Sequence, residues 1–249
     1  MARIISIGGA KLTIKAVFFD LDDTLHDHLQ PFSNSIKTTF PEYYKLVEVE
    51  FLYKKFRHFS DILWKNYSSN LLSLEELRIR RVIQAFKSFD IQIPIEQAKQ
   101  FQSHYELDSR HLQLFPDVIE LLETLKRNGL FFGIITNGPV AHQFTKISSL
   151  GLLDYVSRNL IYISDGVGIA KPNPGIFNYV AERTGYLPHE MVYVGDSWEN
   201  DVAAPLDADW QSIWYNHRKR KPETHHLPLA EIDSLSSLIA ILNSVQIAH

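Results

Sequence analysis

Residues 16–25 read AVFFDLDDTL, and this stretch indicates the fold class. Its first four positions are all apolar, as expected of a strand in a parallel sheet that is covered by helices on both faces. Three carboxylates, Asp20, Asp22 and Asp23, follow as soon as the strand ends. In open parallel sheets, ligands bind in the crevice beyond the carboxyl ends of the strands. The stretch therefore predicts a central strand that leads an acidic group into a binding site.

Apolar runs and helical patterns alternate through the second half of the chain. Strands are predicted at 130–135, 161–163, 191–194 and 209–215, and helices at 116–128, 140–150, 174–184 and 234–242. Proline in the first helical turn and glycine just after the last turn mark helix boundaries in this region. Alternating strands and helices are typical of βαβ units. The predicted fold class is α/β, a doubly wound parallel sheet with helices on both faces.

Residues 28–114 interrupt this alternation. The segment is rich in aromatic and charged residues, has no strong strand pattern, and greatly exceeds the roughly dozen residues that a simple crossover needs. Helices are predicted near 30–39, 42–64, 73–89 and 94–105, the third with a capping box of Ser73 and Glu76. The domain prediction is an α/β core of residues 1–27 and 115–249, with residues 28–114 inserted as a helical cap.

The composition limits the classes of function that the chain can have. It holds 249 residues, 45% of them hydrophobic and 22% charged, with a formal net charge of −4 at pH 7. The chain has no basic excess with which to neutralise a nucleic-acid backbone, so nucleic acid is not expected as a partner. The absence of cysteine removes disulfides, thiolate metal sites and cysteine nucleophiles. Catalysis has to use oxygen and nitrogen groups.

Hydropathy indicates where the protein works. No window approaches the roughly 18 consecutive apolar residues of a membrane-spanning helix, so no membrane partner is expected and a cytoplasmic location is predicted. Residues 1–14 lack the features of a secretory signal and are predicted to form a strand or a loose arm. The sequence leaves the oligomeric state open between a monomer and a weak homodimer.

Polar residues follow the other predicted strands as well, and parallel strands would bring them to one edge of the sheet. They are Thr136, Asn137, Lys171, Asp196 and Asp201, and Gly138 adds an accessible backbone. Two carboxylates about 4 Å apart repel by roughly 4 kcal/mol at an effective dielectric of about 20, so an acidic cluster indicates a cation. Mg²⁺ is the simplest choice, because it takes one or two carboxylates together with water and phosphate oxygens. A metal, an acidic pair, a lysine and a hydroxyl donor are typical of phosphoryl transfer.

Each of these residues also has an ordinary structural interpretation. An isolated Asp-x-Asp after a strand forms solvated turns, Thr136 can cap the helix that follows it, and Lys171 can be a solvated loop lysine. Only the combination of all the strand ends favours a catalytic site.

Four segments, in this order, resemble the motifs of the haloacid dehalogenase superfamily. They are DLDDTL at 20–25, TNG at 136–138, KP at 171–172 and GDSWEND at 195–201. The resemblance covers nearly the whole chain, and the insertion at 28–114 is similar to the cap that many members carry between the first and second motifs. It implies a Mg²⁺-dependent phosphatase for a small soluble phosphate ester, such as a nucleoside monophosphate or a sugar phosphate.

The resemblance also implies catalytic roles. Asp20 would attack phosphorus to form an aspartyl-phosphate, and Asp22, protonated at the start, would protonate the leaving oxygen and then activate water. Thr136 and the Asn137 backbone would hold the phosphoryl oxygens. Lys171 would offset the negative charge of Asp20 and of the phosphate.

The metal ligands are implied in the same way. Mg²⁺ would be bound by the Asp20 carboxylate, the backbone carbonyl of Asp22 and the Asp196 carboxylate, with Asp201 nearby.

Two other functions use similar residues. A haloacid dehalogenase would use Asp20 without Mg²⁺, but such members lack the second aspartate of the first motif, and Asp22 is present here. A non-enzymatic, phospho-accepting regulatory domain combines an acidic cluster with Thr and Lys, but such a chain has about half this length and lacks an acidic pair after the lysine.

Several further residues have open interpretations. His26 and His28 could be zinc ligands, although further ligands are missing from their vicinity. The basic run 217–221 is interpreted as a solvated surface loop. Polar residues near the start of the insertion and within it either contact the leaving group or form a solvated helix face, namely His26, Asp27, His28, Arg57, His58, Lys65 and Tyr67. The segment 70–81, which carries Arg78 and Arg81, is similar to the corresponding cap segment of nucleotide and sugar phosphatases in the same superfamily.

Overall fold

The computed structural model describes residues 13–246. The chain divides into two compact units, which we call the core unit, Met1–Asp27 with Gln113–His249, and the helical unit, His28–Leu112. The helical unit ends two residues before the boundary predicted for the insertion. The predicted N-terminal arm, residues 1–14, lies outside the described residues except for its last two positions.

A six-stranded parallel sheet forms the centre of the core unit. Its strands are β1 (Ala16–Phe19), β2 (Phe131–Thr136), β3 (Ile161–Ile163), β4 (Met191–Gly195), β5 (Gln211–Tyr215) and β6 (Ala230–Ile232). They lie in the order β3-β2-β1-β4-β5-β6. The predicted α/β fold with a doubly wound parallel sheet is confirmed. Strand β6 was not predicted, since three residues with an exposed middle position give no readable apolar pattern.

Five helices form the helical unit within the described chain. They are α1 (Leu29–Thr39), α2 (Pro41–Tyr44), α3 (Val49–Ser68), α4 (Leu74–Lys87) and α5 (Ile95–Asp108). The single helix predicted near 42–64 is wrong, because the chain turns at residues 45–47 and Glu48 is extended before α3 begins. No glycine or proline marks this turn in the sequence. The predicted capping box is confirmed: Ser73 Oγ accepts from the Glu76 backbone, and the Glu76 carboxylate accepts from the Ser73 backbone.

Aromatic rings fill the interior of the helical unit. Phe32, Phe56 and Phe101 are fully buried, and Phe32 packs 4.8 Å from Phe56 and 5.5 Å from Phe101 between ring centroids. Phe40 and Phe86 continue this cluster with centroids 4.7 Å apart. Large buried rings supply much apolar area per residue, so this unit has a hydrophobic core of its own.

The remaining helices belong to the core unit. They are α6 (Val118–Arg127), α7 (Val140–Ser149), α8 (Ser164–Val167), α9 (Gly175–Thr184), α10 (Ala204–Leu206) and α11 (Ser236–Gln246), with a π-helical segment at Trp198–Ala203. Short 3-10 turns occur at Leu152–Asp154, Arg158–Leu160 and Pro188–Glu190. Within residues 13–246, no helix combines the length and the apolar composition that crossing a bilayer requires.

The Phe18 side chain of the central strand β1 is closely packed. Phe18 packs 5.7 Å from Trp210 between ring centroids. A Cβ on Gly133 of β2 would lie 2.4 Å from the Phe18 ring and 2.5 Å from the Leu160 carbonyl. Glycine is therefore required there, and this contact helps to hold β1 and β2 in the register that aligns their carboxyl ends.

Candidate active site

The carboxyl ends of three neighbouring strands carry the polar residues that the sequence singled out. Asp20 directly follows β1, Thr136 is the last residue of β2, and Asp196 directly follows β4. Because β2, β1 and β4 are adjacent and parallel, these residues reach the same edge of the sheet. All three are buried, with at most 6% of each exposed.

Lys171 is a buried cation that contacts the carboxylates at this edge. Its Nζ donates to Asp20 Oδ1 at 2.8 Å, to Asp201 Oδ1 at 2.6 Å and to the Tyr193 hydroxyl at 2.7 Å. These bonds use the three protons of the ammonium group. Burial alone would lower the pKa of Lys171, but the charges of Asp20 and Asp201 outweigh burial, so the pKa is raised. Lys171 therefore stays charged, at a fixed distance from both carboxylates.

Three carboxylates converge beside that lysine. Asp20, Asp196 and Asp201 each offer an oxygen, and these oxygens lie within 4.8 Å of one another. Burial raises the pKa of Asp20 to about 7; Lys171 opposes this rise, while the charges of Asp201 and Asp196 add to it. Three carboxylates thus lie beside the Lys171 ammonium, and Asp196 also pairs with Arg220 at 2.9 Å. Asp22, predicted to contribute its backbone carbonyl, adds no side-chain oxygen to this cluster.

Asp201 is positioned by the π-helical segment Trp198–Ala203. Its Oδ2 accepts from the Ser197 backbone at 2.9 Å, and its carbonyl accepts from the Ser212 hydroxyl at 2.8 Å. A Cβ on Gly195 would lie 2.4 Å from Asp201 Oδ2, so only glycine lets the carboxylate approach the end of β4 this closely. Single π-type turns are frequent at functional sites, where they turn a side chain inward.

Asn137 connects the second and third motif segments. Its side chain donates from Nδ2 to the Lys171 carbonyl at 2.8 Å and accepts from the Lys171 backbone at 2.9 Å. The Lys171–Pro172 peptide bond is cis. The Asn137 side chain thus holds the backbone of Lys171, a role that the sequence did not indicate.

Asp22 has basic neighbours that sequence reasoning missed. Lys146 Nζ donates to its Oδ1 at 2.6 Å, and His26 Nε2 lies 2.8 Å from the same atom. Gln143 contacts Asp22 Oδ2 at 3.3 Å. Gln143 and Lys146 are both buried on α7. In the sequence, these two polar residues lie about one turn apart and interrupt the apolar face of the helix, and this interruption could have marked them as site residues.

The zinc hypothesis for the two histidines has no support in the structure. The His26 ring lies against Asp22, and the His28 ring, in the helical unit, lies 2.6 Å from the Tyr105 hydroxyl and 3.0 Å from Arg57. Within residues 13–246, the group of side chains that could hold a metal ion consists of Asp20, Asp196 and Asp201, and it contains neither histidine.

The interpretation of residues 217–221 as a solvated loop is wrong for three of its positions. Arg218 pairs with Asp23 at 2.8 Å, His217 lies 3.0 Å from the Asp23 carbonyl, and Arg220 pairs with Asp196 at 2.9 Å. The reason is topological, since β5 ends at the same edge of the sheet and the segment that follows it meets the first motif there.

Three arginines of the helical unit, one of them the predicted specificity residue Arg57, contact other side chains of that unit. Arg57 contacts His28, and Arg78 pairs with Glu106 at 2.9 Å. Arg81 lies over the Phe56 ring at 4.3 Å, and burial lowers its pKa to about 10. A purely solvated helix face is therefore wrong for Arg57.

Comparison with known proteins identifies the family. A family model described as haloacid dehalogenase-like hydrolase matches residues 14–209, which include every residue of the site described above except Ser212 and the segment after β5. The chain belongs to this family. The expectation of a haloacid dehalogenase-type hydrolase is thereby confirmed, and the chain is an enzyme rather than a non-enzymatic regulatory domain.

Named relatives of this hydrolase are phosphatases. The chain is 29% identical over 230 residues to the pyrimidine 5'-nucleotidase YjjG of Escherichia coli (strain K12), covering 91% of this chain and 96% of that protein. It is 31% identical over 194 residues to a glyceraldehyde 3-phosphate phosphatase of Methanopyrus kandleri, covering 76% and 78%. A solved structure of a 2-haloacid dehalogenase from Pseudomonas syringae pv. Tomato superposes with a TM-score of 0.59 at 29% identity, covering 93% of this chain and 99% of that one.

Proposed function

We propose that this hydrolase is a Mg²⁺-dependent phosphomonoesterase that forms an aspartyl-phosphate on Asp20. The observation that carries the proposal is the placement of Asp20 between a buried ammonium and two further carboxylates. Lys171 lies 2.8 Å from Asp20, and the carboxylates of Asp196 and Asp201 face the same space. A fixed cation beside a carboxylate suits attack on a negatively charged phosphoryl group, because it offsets the charge of both partners.

The residues present fit a magnesium ion. The cluster offers only carboxylate oxygen atoms, which Mg²⁺ prefers as ligands, and its three carboxylates are buried with these oxygens within 4.8 Å of one another. Asp20, the Asp22 backbone carbonyl and Asp196 would hold the ion, with Asp201 beside them. A bound Mg²⁺ neutralises charge on the phosphoryl oxygens and orients the ester.

The side chains of the core unit supply the remaining steps. Asp20 attacks phosphorus while Lys171 offsets the charge on its carboxylate, and Thr136 donates its hydroxyl to a phosphoryl oxygen. Asp22 delivers a proton to the leaving oxygen and later takes one from the attacking water. Lys146 and His26 contact Asp22 Oδ1 and orient the carboxyl group, so the proton that Asp22 delivers is carried on Oδ2.

The substrate is a small soluble phosphate ester. The two named relatives act on a pyrimidine nucleotide and on a triose phosphate, which supports a nucleoside monophosphate or a sugar phosphate. The helical unit serves as the cap that selects among such esters, because the core chemistry treats every phosphoryl group alike. We further propose a cytoplasmic location and a monomer or weak homodimer.

The first experiment measures phosphate release from nucleotides, sugar phosphates and p-nitrophenyl phosphate, with and without Mg²⁺, using Asp20→Asn as the blank. Release that requires both Mg²⁺ and Asp20 supports the proposal. Equal release by wild type and Asp20→Asn would overturn it.

A haloacid dehalogenase remains the competing activity, because the Pseudomonas syringae structure bears that name. Halide release from 2-haloacids, measured without metal, tests it directly. Single turnover in heavy-oxygen water separates the chemistries further. In a phosphatase, water attacks the phosphorus of the aspartyl-phosphate, so the heavy oxygen appears in phosphate. In a dehalogenase, Asp20 forms an ester with the substrate carbon and water attacks the aspartyl carbonyl, so the heavy oxygen appears in Asp20.

A further inference from the structure

Gln143 lies at the centre of the site without a role in the proposed reaction. It is a residue of α7 and only 1% exposed. Its Nε2 lies 2.7 Å from Thr136 Oγ1, 3.0 Å from the Asn137 carbonyl oxygen and 3.3 Å from Asp22 Oδ2. One amide group therefore contacts Thr136 and Asp22, which the proposed mechanism uses, together with the carbonyl of Asn137.

The orientation of this amide follows from its neighbours. The Asn137 carbonyl can only accept a hydrogen bond, so the Gln143 atom that faces it must be the nitrogen. The contact of 2.7 Å with Thr136 Oγ1, the shortest of the three, involves the same nitrogen. An amide NH₂ group donates hydrogen bonds and does not accept them, so Gln143 is the donor in this contact as well. The Thr136 hydroxyl is thus the acceptor in its contact with Gln143.

This direction of bonding has a chemical consequence. A hydroxyl has one proton and two lone pairs, and Gln143 occupies a lone pair of Thr136. The Thr136 proton therefore points away from Gln143 and is available to donate to another acceptor. A phosphoryl oxygen at the carboxyl end of β2 is an acceptor of this kind.

We propose that Gln143 is a positioning residue that fixes the Thr136 hydroxyl as a donor to the phosphoryl group. The inference rests on the proposed phosphatase function and adds a residue outside the four motif segments. Donors that are oriented before the reaction stabilise developing charge without reorganising, which is the basis of this type of catalysis.

The backbone beside Thr136 is shaped for this contact. Gly138 has φ of 144°, and a Cβ there would lie 2.8 Å from Gln143 Cγ. Glycine at this position leaves room for the Gln143 side chain to pass the loop and reach Thr136. A residue with a side chain would push the amide away from the hydroxyl.

The experiment compares Gln143→Met, Gln143→Glu, Thr136→Val and the double variant Thr136→Val/Gln143→Met. Gln143→Met keeps the length of the side chain but removes the donor, so kcat should fall about tenfold, a factor typical of one hydrogen bond. Gln143→Glu places an acceptor and a negative charge beside Thr136, so kcat should fall on the order of 100-fold or more. The affinity for inorganic phosphate, measured by calorimetry, should fall in the same order.

The double variant separates positioning from a structural role. If Gln143 acts through the Thr136 hydroxyl, Gln143→Met should change kcat less than about twofold once Thr136 is valine. The inference would be overturned if the two single losses of kcat multiplied in the double variant. It would also be overturned if Gln143→Met and Gln143→Glu both kept wild-type kcat. Thermal unfolding is measured for every variant, and if Gln143→Glu does not fold, the cycle with methionine decides alone.

Thr145 on the same helix provides matched controls, because it is exposed and its hydroxyl bonds only to the Ala141 carbonyl of its own helix. Thr145→Val and Thr145→Glu repeat the loss of a hydroxyl and the gain of a charge away from the site, and both should keep wild-type kcat. A wild type without Mg²⁺-dependent phosphatase activity refutes the proposed function itself. An active wild type with unaltered Gln143 variants refutes only this inference.

Discussion

The sheet edge of the core unit and the interior of the helical unit bury charge in opposite ways. At the sheet edge, Asp20, Asp196 and Asp201 lie together, with Lys171 as their buried ammonium. In the helical unit, the buried guanidinium of Arg81 lies over the rings of Phe56 and Tyr105 and donates to Gln102 Oε1 at 3.1 Å. The first arrangement concentrates like charges, and the second disperses one charge over aromatic faces.

This difference indicates what each region contributes to stability and to chemistry. Clustered carboxylates oppose folding, because desolvation and mutual repulsion both disfavour their charged forms. Packed rings favour folding through buried apolar area. We therefore expect substitutions at the sheet edge to change chemistry and metal binding, and substitutions in the aromatic interior to change stability alone.

The largest expected effect is the loss of activity in Asp20→Asn. Removing a nucleophile typically lowers kcat on the order of 10⁴- to 10⁶-fold. The metal-free variant should unfold at the same temperature as wild type or a higher one at pH 8, because an amide removes a buried negative charge. Phosphate release and thermal unfolding measure both quantities, with Asp154→Asn on the exposed surface as the control. A variant that is inactive and also strongly destabilised would break the contrast between the regions.

The second effect concerns Lys171→Met. Without the ammonium, the carboxylates of Asp20 and Asp201 lose their buried partner, and breaking such a pair costs about 3–5 kcal/mol of unfolding free energy. Mg²⁺ should restore part of this loss, since it supplies positive charge to the same oxygens. Denaturant unfolding with and without Mg²⁺ tests this, and Lys126→Met on the exposed face of α6 should change neither curve. Equal free energies of unfolding for Lys171→Met and wild type would show that the Lys171 ammonium does not stabilise the carboxylates of Asp20 and Asp201.

The third effect tests the aromatic interior through Phe56→Ala. Phe56 is fully buried among Phe32 and Phe101, and deleting such a ring costs about 3–5 kcal/mol. The affinity of the sheet edge for Mg²⁺ should stay at the wild-type value, as measured by calorimetry on the folded variant. Phe51→Ala is the matched control, because Phe51 is 51% exposed. A large loss of Mg²⁺ affinity in Phe56→Ala alone would show that the two regions are not separable.

The smallest effect is a proton released when Mg²⁺ binds. Burial raises the pKa of Asp20 to about 7 without metal, above its unfolded value, so the metal-free fold loses stability as pH rises from about 4 through 7. Mg²⁺ requires the ionised carboxylate, so its affinity should increase with pH up to about 7 and then level off. Calorimetry in buffers of different ionisation heat should detect close to one released proton at pH 6 and almost none above pH 8. Release that is equal at both pH values would contradict an elevated pKa for Asp20.

Local patterns predicted much of the fold and only part of the site. The apolar run before Asp20 and the alternation of strands and helices were enough for the sheet, because burial on both faces leaves a continuous signal. The break between α2 and α3 and the short strand β6 were missed, since neither carries glycine, proline or an apolar period. These features depend on the packing of neighbouring elements rather than on local propensity.

The sequence by itself determined which residues follow the ends of the strands, and therefore which carboxylates, hydroxyl and lysine could form a site. It could not determine which side chains approach from elsewhere. Lys146 and Gln143 reach Asp22 because α7 packs beside the sheet, and Arg220 reaches Asp196 because β5 ends at the same edge. Such contacts join residues far apart in the chain. Only the tertiary structure decides them, because the order of the strands in the sheet sets which distant side chains meet.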